Sequence, residues 1–504
     1  MSNKIKIGWA EQDITPNQKI RIAGQFYERV SDVVETPISV TALAIESEED
    51  GEQAVICSCD LACVSEGLIE LVRAELSNVD GLDISKVIIG ATHTHTSYQY
   101  DEASGVVRVD DSVAAIDASV EILKRYLPDG KKYISHINSP AMDEYEVLIF
   151  LSHRIAAAIK EAWENRDYGY FSNEFGRAAV GMCRRVVYSD GSAKMWGDTN
   201  KDNFAMLEGG NDSGIEMLFF FDKDRALSGV LVNVACPAQV LEQRSFISSD
   251  YWGKLKILLR ERFGNDIFLL GLPSPAGDQC PRDLVRWVDP ETPIDDPNVA
   301  KRTASRKADP SMYDIAGAER IGKRLFYEIN DAYERAISNL CEGATFIHKT
   351  ETLELPLRQA TKKERDDAEA AIRKYFKSVE GDINYSDSAE LFVYSGTIGR
   401  YEQQQVVKTV SVELHTLRLG EMAIATSPFE LFLDYGNEIR ARSKADQTFL
   451  FQLTCGNRGY LPTEKAERGG HYSAYLSSGC IGHEGGKMLV EATLLRIEGC
   501  FEDE

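Results

Sequence analysis

The stretch that decides the fold class is "QAVICSCDLACVSEGLIELVRAELSNVDGLDISKVIIGATHTH", residues 53–95. The apolar runs at its two ends predict buried strands. Between them, Ser65 precedes apolar residues at positions 68, 69, 71, 72 and 76, which is the spacing of one helix face. A strand, a helix and a strand in this order predict a β-α-β unit with a parallel strand pair.

Strand and helix patterns alternate along the rest of the chain. Residues 216–240 predict two strands joined by a polar turn, and residues 406–428 predict a hairpin. Residues 284–312 are rich in proline and charge and predict a long loop or lid. We therefore expect an α/β (mixed α+β) fold, in which residues 1–504 form one large catalytic domain of mixed β-sheets flanked by helices.

Composition restricts the function classes. The chain has 504 residues, 80 acidic and 56 basic, and a net charge of −24, which argues against a nucleic-acid partner and against stable membrane association. The N-terminus has no secretion-signal pattern, and no stretch approaches a membrane span, so we expect a cytoplasmic location. The expected partner is a small-molecule substrate, and the composition also allows a homo-oligomer.

The ten cysteines occur at ordinary density, so free thiols are expected in a reducing compartment. Three of them, Cys57, Cys59 and Cys63, lie close together in an apolar run. Because free cysteine behaves as a small hydrophobic residue, buried strand thiols are favoured over a metal cluster here.

Two histidines, His93 and His95, follow the second strand of the β-α-β unit. Side chains two residues apart on an extended segment point to the same side, so both imidazoles could bind one ion. A catalytic zinc ion needs about three protein ligands and one open position, so the pair alone is weak evidence. Three further loops, at residues 273–283, 426–440 and 455–472, combine glycine or proline with isolated polar residues after strand-like runs.

With these loops, the chain resembles the neutral ceramidases and their bacterial relatives, which are zinc-dependent amide hydrolases. The motifs that carry the resemblance are "GWAEQDITP", "IAGQFYERV", "GATHTHTS", "GMCRRVVYSDG", "SSDYWG", "GDQCPRD", "SPFELF" and "GYLPTEKA", in this order along the chain. The resemblance implies a ceramidase-like catalytic domain and hydrolysis of an amide bond.

The resemblance also implies roles for individual residues. It implies a Zn²⁺ ion, or another divalent metal, bound by His93, Glu430 and Tyr460. It places His95 in the pocket as a catalytic residue and Arg184 as a substrate-binding residue. Imidazole nitrogen, carboxylate oxygen and phenolate oxygen all suit zinc. The alternatives are that Glu430 favours the dipole of the helix that follows it, and that Tyr460 is only a packed aromatic residue.

The first departure from the family pattern is Pro237, which stands where a second zinc histidine is expected. No histidine lies between positions 154 and 347. If a metal binds, another residue must complete its coordination or the site stays open. The candidates are Cys236, Gln239, His95, Asp60, Asp278, His471 and His483.

The second departure is Cys280 in "GDQCPRD", where the family has a serine. Its thiol could be a nucleophile, a metal ligand or an ordinary loop residue. As catalytic residues, Cys280 and Asp278 are expected to line the wall opposite the metal.

The leading hypothesis is a metal-dependent hydrolase that cleaves an amide or related bond. We expect neither the family's secretion signal nor its C-terminal β-sandwich domain, and therefore a small polar substrate rather than membrane ceramide. One alternative is a glycosidase or lyase in which Glu430 and an aspartate act as acid and base. Another is a non-catalytic binding protein with a degenerate metal site.

Overall fold

The computed structural model of the protein describes residues 3–100, 120–134, 140–286 and 314–502. The strands are β1 (Ile5–Asp13), β2 (Ile20–Arg21), β3 (Val30–Ser31), β4 (Ser39–Ser47), β5 (Gln53–Cys59), β6 (Val87–Ala91), β7 (Tyr133–Ile134), β8 (Asp167–Tyr168), β9 (Tyr170–Arg177), β10 (Met182–Cys183), β11 (Arg185–Tyr188), β12 (Ala193–Met195), β13 (Phe204–Leu207), β14 (Gly214–Phe221), β15 (Leu227–Val234), β16 (Phe268–Pro273), β17 (Gln279–Cys280), β18 (Phe346–Pro356), β19 (Ile383–Asn384), β20 (Thr409–Leu419), β21 (Met422–Thr426), β22 (Glu430–Leu431), β23 (Gln447–Phe451) and β24 (Tyr460–Leu461). The α-helices are α1 (Glu66–Leu76), α2 (Glu144–Glu164), α3 (Asp250–Phe263), α4 (Asp314–Ala336), α5 (Lys362–Ser378), α6 (Tyr385–Gln403), α7 (Leu433–Arg442), α8 (Glu464–Gly469) and α9 (His483–Phe501).

Three larger sheets organise the protein. Sheet A has the strand order β6-β5-β4-β1-β8, sheet B has the order β16-β15-β14-β9, and sheet C has the order β18-β20-β21-β23. Each contains an antiparallel pair followed by a parallel pair, namely β5 with β6, β15 with β16, and β21 with β23. The connections within the parallel pairs contain α1, α3 and α7 respectively. The mixed α+β class expected from the sequence is confirmed.

The sheets pack against one another around a shared apolar core. This core includes Ile56 and Ile88 from sheet A, Leu231 and Leu270 from sheet B, and Phe449 from sheet C. Burial of each such side chain contributes roughly 1.5–3 kcal/mol. Each of the three sheets packs one face into this core. The core therefore fixes the positions of the three sheets, and of their strand ends, relative to one another.

Helices cover the outer faces of the three sheets. Leu68 of α1 and Leu151 of α2 pack on sheet A, Leu255 of α3 and Ile321 of α4 pack on sheet B, and Leu489 of α9 packs on sheet C. Among the residues that the structure describes, no helix combines the length and the apolar character needed to cross a membrane.

Residues near the helix ends make the contacts or adopt the backbone angles that begin or end the helices. The Ser65 side chain accepts a hydrogen bond from the Leu68 amide and begins α1. Thr361 and Glu364 form both hydrogen bonds of a capping box at α5. Gly264 ends α3 with a φ of +106°. The lid expected at residues 284–312 lies almost entirely outside the described residues.

Candidate active site

The carboxyl ends of the three parallel pairs meet at one place. The Ala91 amide at the end of β6 donates to the Leu453 carbonyl just beyond β23. The Gln452 amide donates to the Pro273 carbonyl at the end of β16, which joins sheet C to sheet B. Binding sites favour the carboxyl ends of parallel strands, and here the ends of the sheet A and sheet C pairs border one pocket.

The pocket has a cavity volume of about 70 Å³. The residues that line it are Gly24, Gln25, Phe26, Ala62, Cys63, His93, His95, Glu430, Leu453, Asn457, Tyr460 and Tyr472.

His93 is held in one tautomer by its backbone surroundings. It follows β6 with a φ of 64°, and its Nδ1 lies 2.5 Å from the Ala62 carbonyl oxygen. A carbonyl only accepts hydrogen bonds, so Nδ1 carries the proton and Nε2 presents a lone pair. Nε2 lies 3.4 Å from Glu430 Oε2 inside the pocket.

Glu430 and Tyr460 are neighbours because β22 and β24 pair in parallel with these two residues in register. The backbone behind each is closely packed: a Cβ at Gly277 would lie 2.3 Å from the Glu430 carbonyl oxygen, and one at Gly479 would lie 1.9 Å from that of Tyr460. Burial and the nearby Glu430 carboxylate raise the pKa of Tyr460 well above its ordinary value. Tyr460 is therefore a phenol unless a cation stabilises its ionised form.

We refer to His93, Glu430 and Tyr460 as the pocket cluster. Arg184 holds it from behind: Nη2 donates to Tyr460 Oη at 3.3 Å and lies 3.8 Å from Glu430 Oε2. Nη1 donates to Gln239 Oε1 at 3.0 Å. Although burial opposes it, Tyr460 and Glu430 raise the pKa of Arg184. Arg184 was expected to bind substrate; its side chain contacts Tyr460, Glu430 and Gln239, and it is not among the residues that line the pocket.

His95 lies beside the pocket cluster. Its Nε2 is 3.2 Å from His93 Nε2 and 2.9 Å from Gln239 Nε2. Because Gln239 Oε1 accepts from Arg184, the Gln239 amide nitrogen donates to His95 Nε2, and His95 Nδ1 carries the ring proton. Glu242 Oε2 lies 3.9 Å from that Nδ1. Burial, with help from nearby His93, lowers the pKa of His95 well below its ordinary value, so the ring is neutral.

The candidates for the missing ligand differ in their position relative to the pocket. His95 lines the pocket, and Gln239 contacts the His95 ring through a hydrogen bond of 2.9 Å. Cys236 Sγ donates to the Val180 carbonyl at 3.3 Å, and Asp60 accepts from the Ser39 amide at 2.9 Å. Neither of these two lines the pocket.

The two histidines of the C-terminal segment have other partners. His471 Nδ1 accepts from the Met195 amide at 3.3 Å, and His483 Nδ1 lies 2.8 Å from Glu467 Oε2. Neither histidine lines the pocket, so neither replaces the imidazole that is missing at Pro237.

Asp278 and Cys280 also make structural contacts outside the pocket lining. Asp278 Oδ1 accepts from the amide of Leu433, the first residue of α7, at 2.9 Å. The carboxylate that favours this helix end is therefore Asp278 rather than Glu430. Cys280 Sγ donates to the Arg282 carbonyl at 3.2 Å, and burial raises its thiol pKa to about 12. A protonated buried thiol does not favour a nucleophilic role.

Sequence reasoning missed Tyr472, Phe26 and Cys63 as pocket residues. The Tyr472 ring lies 5.4 Å from that of Tyr460 and 5.5 Å from that of Phe26, so the three form an aromatic wall. Tyr472 directly follows His471 in "GGHY", and this Gly-rich segment was the available signal. Cys57 and Cys59 are buried strand thiols, as predicted, whereas Cys63 is half-buried at the pocket.

Sequence reasoning also missed a second group of donors. Within the described part of the chain, one atom each of Glu413, His415 and Cys455 lie within 4.8 Å of one another, a spacing that could hold a metal ion. We refer to these residues as the thiol cluster.

No protein-family model and no curated protein matches the chain. Solved structures do match, among them "Ceramidase complexed with C2", with a TM-score of 0.67, and neutral ceramidase from Pseudomonas aeruginosa, with a TM-score of 0.66. The fold is ceramidase-like. Each alignment covers 99% of this chain at 14% identity, and 76% and 75% of the two ceramidase chains respectively. At this identity the likeness concerns the fold.

Proposed function

We propose that the protein is a metal-dependent hydrolase, with Zn²⁺ as the expected ion, that cleaves an amide or related bond in a small polar substrate. The observation that carries the proposal is the pocket cluster itself. Its nitrogen and oxygen atoms come from His93, which follows β6 of sheet A, and from Glu430 and Tyr460 on the paired strands β22 and β24.

The donor chemistry fits a divalent ion. The Nε2 lone pair of His93 faces the Glu430 carboxylate at 3.4 Å, and a cation between them would neutralise two acceptors. Three protein ligands with one open position are typical of catalytic zinc. Such an ion, when bound, would lower the pKa of a water molecule and polarise the scissile carbonyl.

The remaining residues orient groups and transfer protons. His95 is neutral and its one lone pair is on Nε2, where the Gln239 amide donates, so it takes a proton at that atom only when this hydrogen bond opens. Gln239 and Arg184 fix its orientation through consecutive hydrogen bonds of 2.9 and 3.0 Å. Arg184 also holds the hydroxyl of Tyr460, so that one guanidinium sets the geometry of both the acid–base group and the donor set.

The pocket lining supports a small substrate that is partly polar. Phe26 and Tyr472 give aromatic surface, and Gln25 and Asn457 give amide groups. The net charge of −24 disfavours an anionic bilayer as the source of substrate. We therefore propose a short N-acylated amine or amino sugar as substrate class, and a cytoplasmic location.

The glycosidase alternative needs two carboxylates on either side of the scissile bond. Of the residues that the structure shows lining the pocket, Glu430 is the one carboxylate. A metal-assisted hydrolysis therefore agrees better with the pocket than a two-carboxylate mechanism does.

The test is hydrolysis of a panel of short-chain N-acyl amines, with p-nitrophenyl glycosides for the alternative. We expect amide cleavage that a chelator removes and Zn²⁺ restores. Glu430→Gln should lose it, whereas the control Glu216→Gln should keep it, because Glu216 is buried to a similar extent but lies elsewhere. Chelator-resistant turnover, or full activity in Glu430→Gln, would contradict the proposal.

A further inference from the structure

The thiol cluster lies beside sheet C, away from the pocket lining. Glu413 and His415 are two residues apart on β20, so their side chains share a face. His415 Nε2 lies 2.8 Å from Glu413 Oε1 and 3.4 Å from Cys455 Sγ. His415 and Cys455 are buried, and the Glu413 side chain is 28% exposed.

A chain of hydrogen bonds locates the proton of His415. His348 Nδ1 lies 2.9 Å from the Gln53 carbonyl oxygen, so it donates and leaves His348 Nε2 as an acceptor. His415 Nδ1, at 2.9 Å from that Nε2, must then be the donor. Thr350 Oγ1 is a second acceptor for His415 Nδ1, because its own proton goes to the Ser85 carbonyl.

His415 Nε2 therefore presents a lone pair in the neutral ring. It points at a carboxylate oxygen and a sulfur, and two acceptors 2.8 Å apart require a proton or a cation between them. Zinc–ligand bonds of about 2.0–2.3 Å place nitrogen and sulfur roughly 3.5 Å apart across a tetrahedral angle. The observed nitrogen–sulfur separation of 3.4 Å agrees with this value. His415 Nε2 and Glu413 Oε1, at 2.8 Å, would have to separate by roughly 0.5 Å to admit the ion, and Oε1 also accepts from Arg73 Nη2 at 2.5 Å.

The backbone also constrains the thiol. Cys455 and Leu453 have φ values of 55° and 54°, in the left-handed region that non-glycine residues rarely occupy. Such conformations persist only where the surroundings enforce them, and they concentrate at functional sites. Leu453 and Asn457, on either side of Cys455, line the pocket.

We propose that Glu413, His415 and Cys455 form a second metal site, distinct from the pocket, that binds Zn²⁺ and fixes the pocket wall at residues 453–457. Thiolate and imidazole together favour zinc over Mg²⁺ or Ca²⁺. Binding releases the thiol proton, so that thiolate and carboxylate balance the charge of the ion. Arg73, which donates to Glu413 Oε2 at 2.8 Å, orients the carboxylate, and water reaches the fourth position from its exposed side.

The test uses cobalt as the probe, because a thiolate bound to Co²⁺ gives a near-ultraviolet charge-transfer band that nitrogen and oxygen ligands do not give. Metal-stripped full-length protein is titrated with Co²⁺. We expect the band in the wild type, its loss in Cys455→Ser, and its retention in Cys57→Ser, where a fully buried thiol of β5 is changed. His93→Ala should retain it as well, because the pocket cluster contains no sulfur.

A wild-type protein without the band, or a Cys455→Ser variant that keeps it, would overturn the proposal. If circular dichroism shows that Cys455→Ser does not fold, His348→Gln replaces it. That variant keeps all three ligands but loses the partner of His415 Nδ1. Its affinity for Co²⁺ should fall by at least roughly 10-fold. Unchanged affinity would contradict the site. The band reports no hydrolysis, so this result and the proposed function can fail independently.

Discussion

The pocket cluster and the thiol cluster each have one histidine and one glutamate, but they differ in the third donor and in their access to ligand. Tyr460 gives the first an oxygen, and the cluster borders a cavity of about 70 Å³. Cys455 gives the second a sulfur, and its histidine and cysteine are buried away from the pocket lining. A donor set that borders a cavity suits catalysis, whereas a set that includes a thiolate and lies outside the pocket lining suits an ion that holds the backbone. Similar donors can therefore serve different purposes.

The largest expected effect compares the two histidines. His93→Ala should lower the rate of amide hydrolysis by roughly 100-fold or more, because it removes a pocket donor. Substitution of a residue that only hydrogen-bonds to a metal ligand already lowers metal affinity or activity by about 10–100-fold. His415→Ala should lower it by less than about 10-fold. Rates measured on zinc-loaded, folded variants check this, and equal losses would remove the functional distinction between the clusters.

The next effect concerns stability. Zn²⁺ at about 100 times its Kd should stabilise the protein by about 2.7 kcal/mol for each site that binds it only in the folded state. The Glu430→Gln variant should keep the stabilisation from the thiol cluster alone. The double variant Glu430→Gln with Cys455→Ser should show no stabilisation by Zn²⁺. Thermal unfolding with and without Zn²⁺ measures this. A single increment in the wild type that Cys455→Ser leaves intact would indicate that the thiol cluster binds no ion.

A smaller effect is expected at Gly24, which lies under the His95 ring with a φ of +93°. A Cβ there would lie 2.5 Å from His95 Cγ, so Gly24→Ala must displace the ring. Gly130→Ala is the matched control, since its φ is +85° and nothing lies within 4 Å of the added Cβ. Gly24→Ala should cost about 1–3 kcal/mol more in unfolding free energy and should slow hydrolysis. Equal costs would mean that the backbone angle alone matters.

The smallest effect is expected at the aromatic wall. Phe26→Leu removes a ring that lies edge-to-face against Tyr472 at 5.5 Å, a contact worth about 0.5–1.5 kcal/mol. If the wall binds substrate, KM should rise roughly 2–10-fold with little change in kcat. Phe175→Leu, at an exposed position, should change neither. An unchanged KM in Phe26→Leu would place substrate elsewhere in the pocket.

Residues close together in sequence were the most predictable. The N-cap at Ser65 and the capping box at Thr361 depend on contacts within one helical turn, and the structure has both. The parallel strands around α1 follow from apolar periodicity, which the local sequence carries. Roles that depend on long-range contacts were less predictable: Asp278 and Cys280 occur in a motif typical of an active site, yet their hydrogen bonds go to backbone groups outside the pocket lining.

The sequence by itself determined the mixed α+β class, most strand and helix positions, and the grouping of His93, Glu430 and Tyr460 as candidate donors through resemblance. Only the tertiary structure decided that Arg184 contacts Tyr460 and Gln239, that Tyr472 lines the pocket, and that Cys455 meets His415. The physical reason is that these contacts join segments on different sheets, where the packing of a shared core sets the distances. No local periodicity encodes which strand ends will meet.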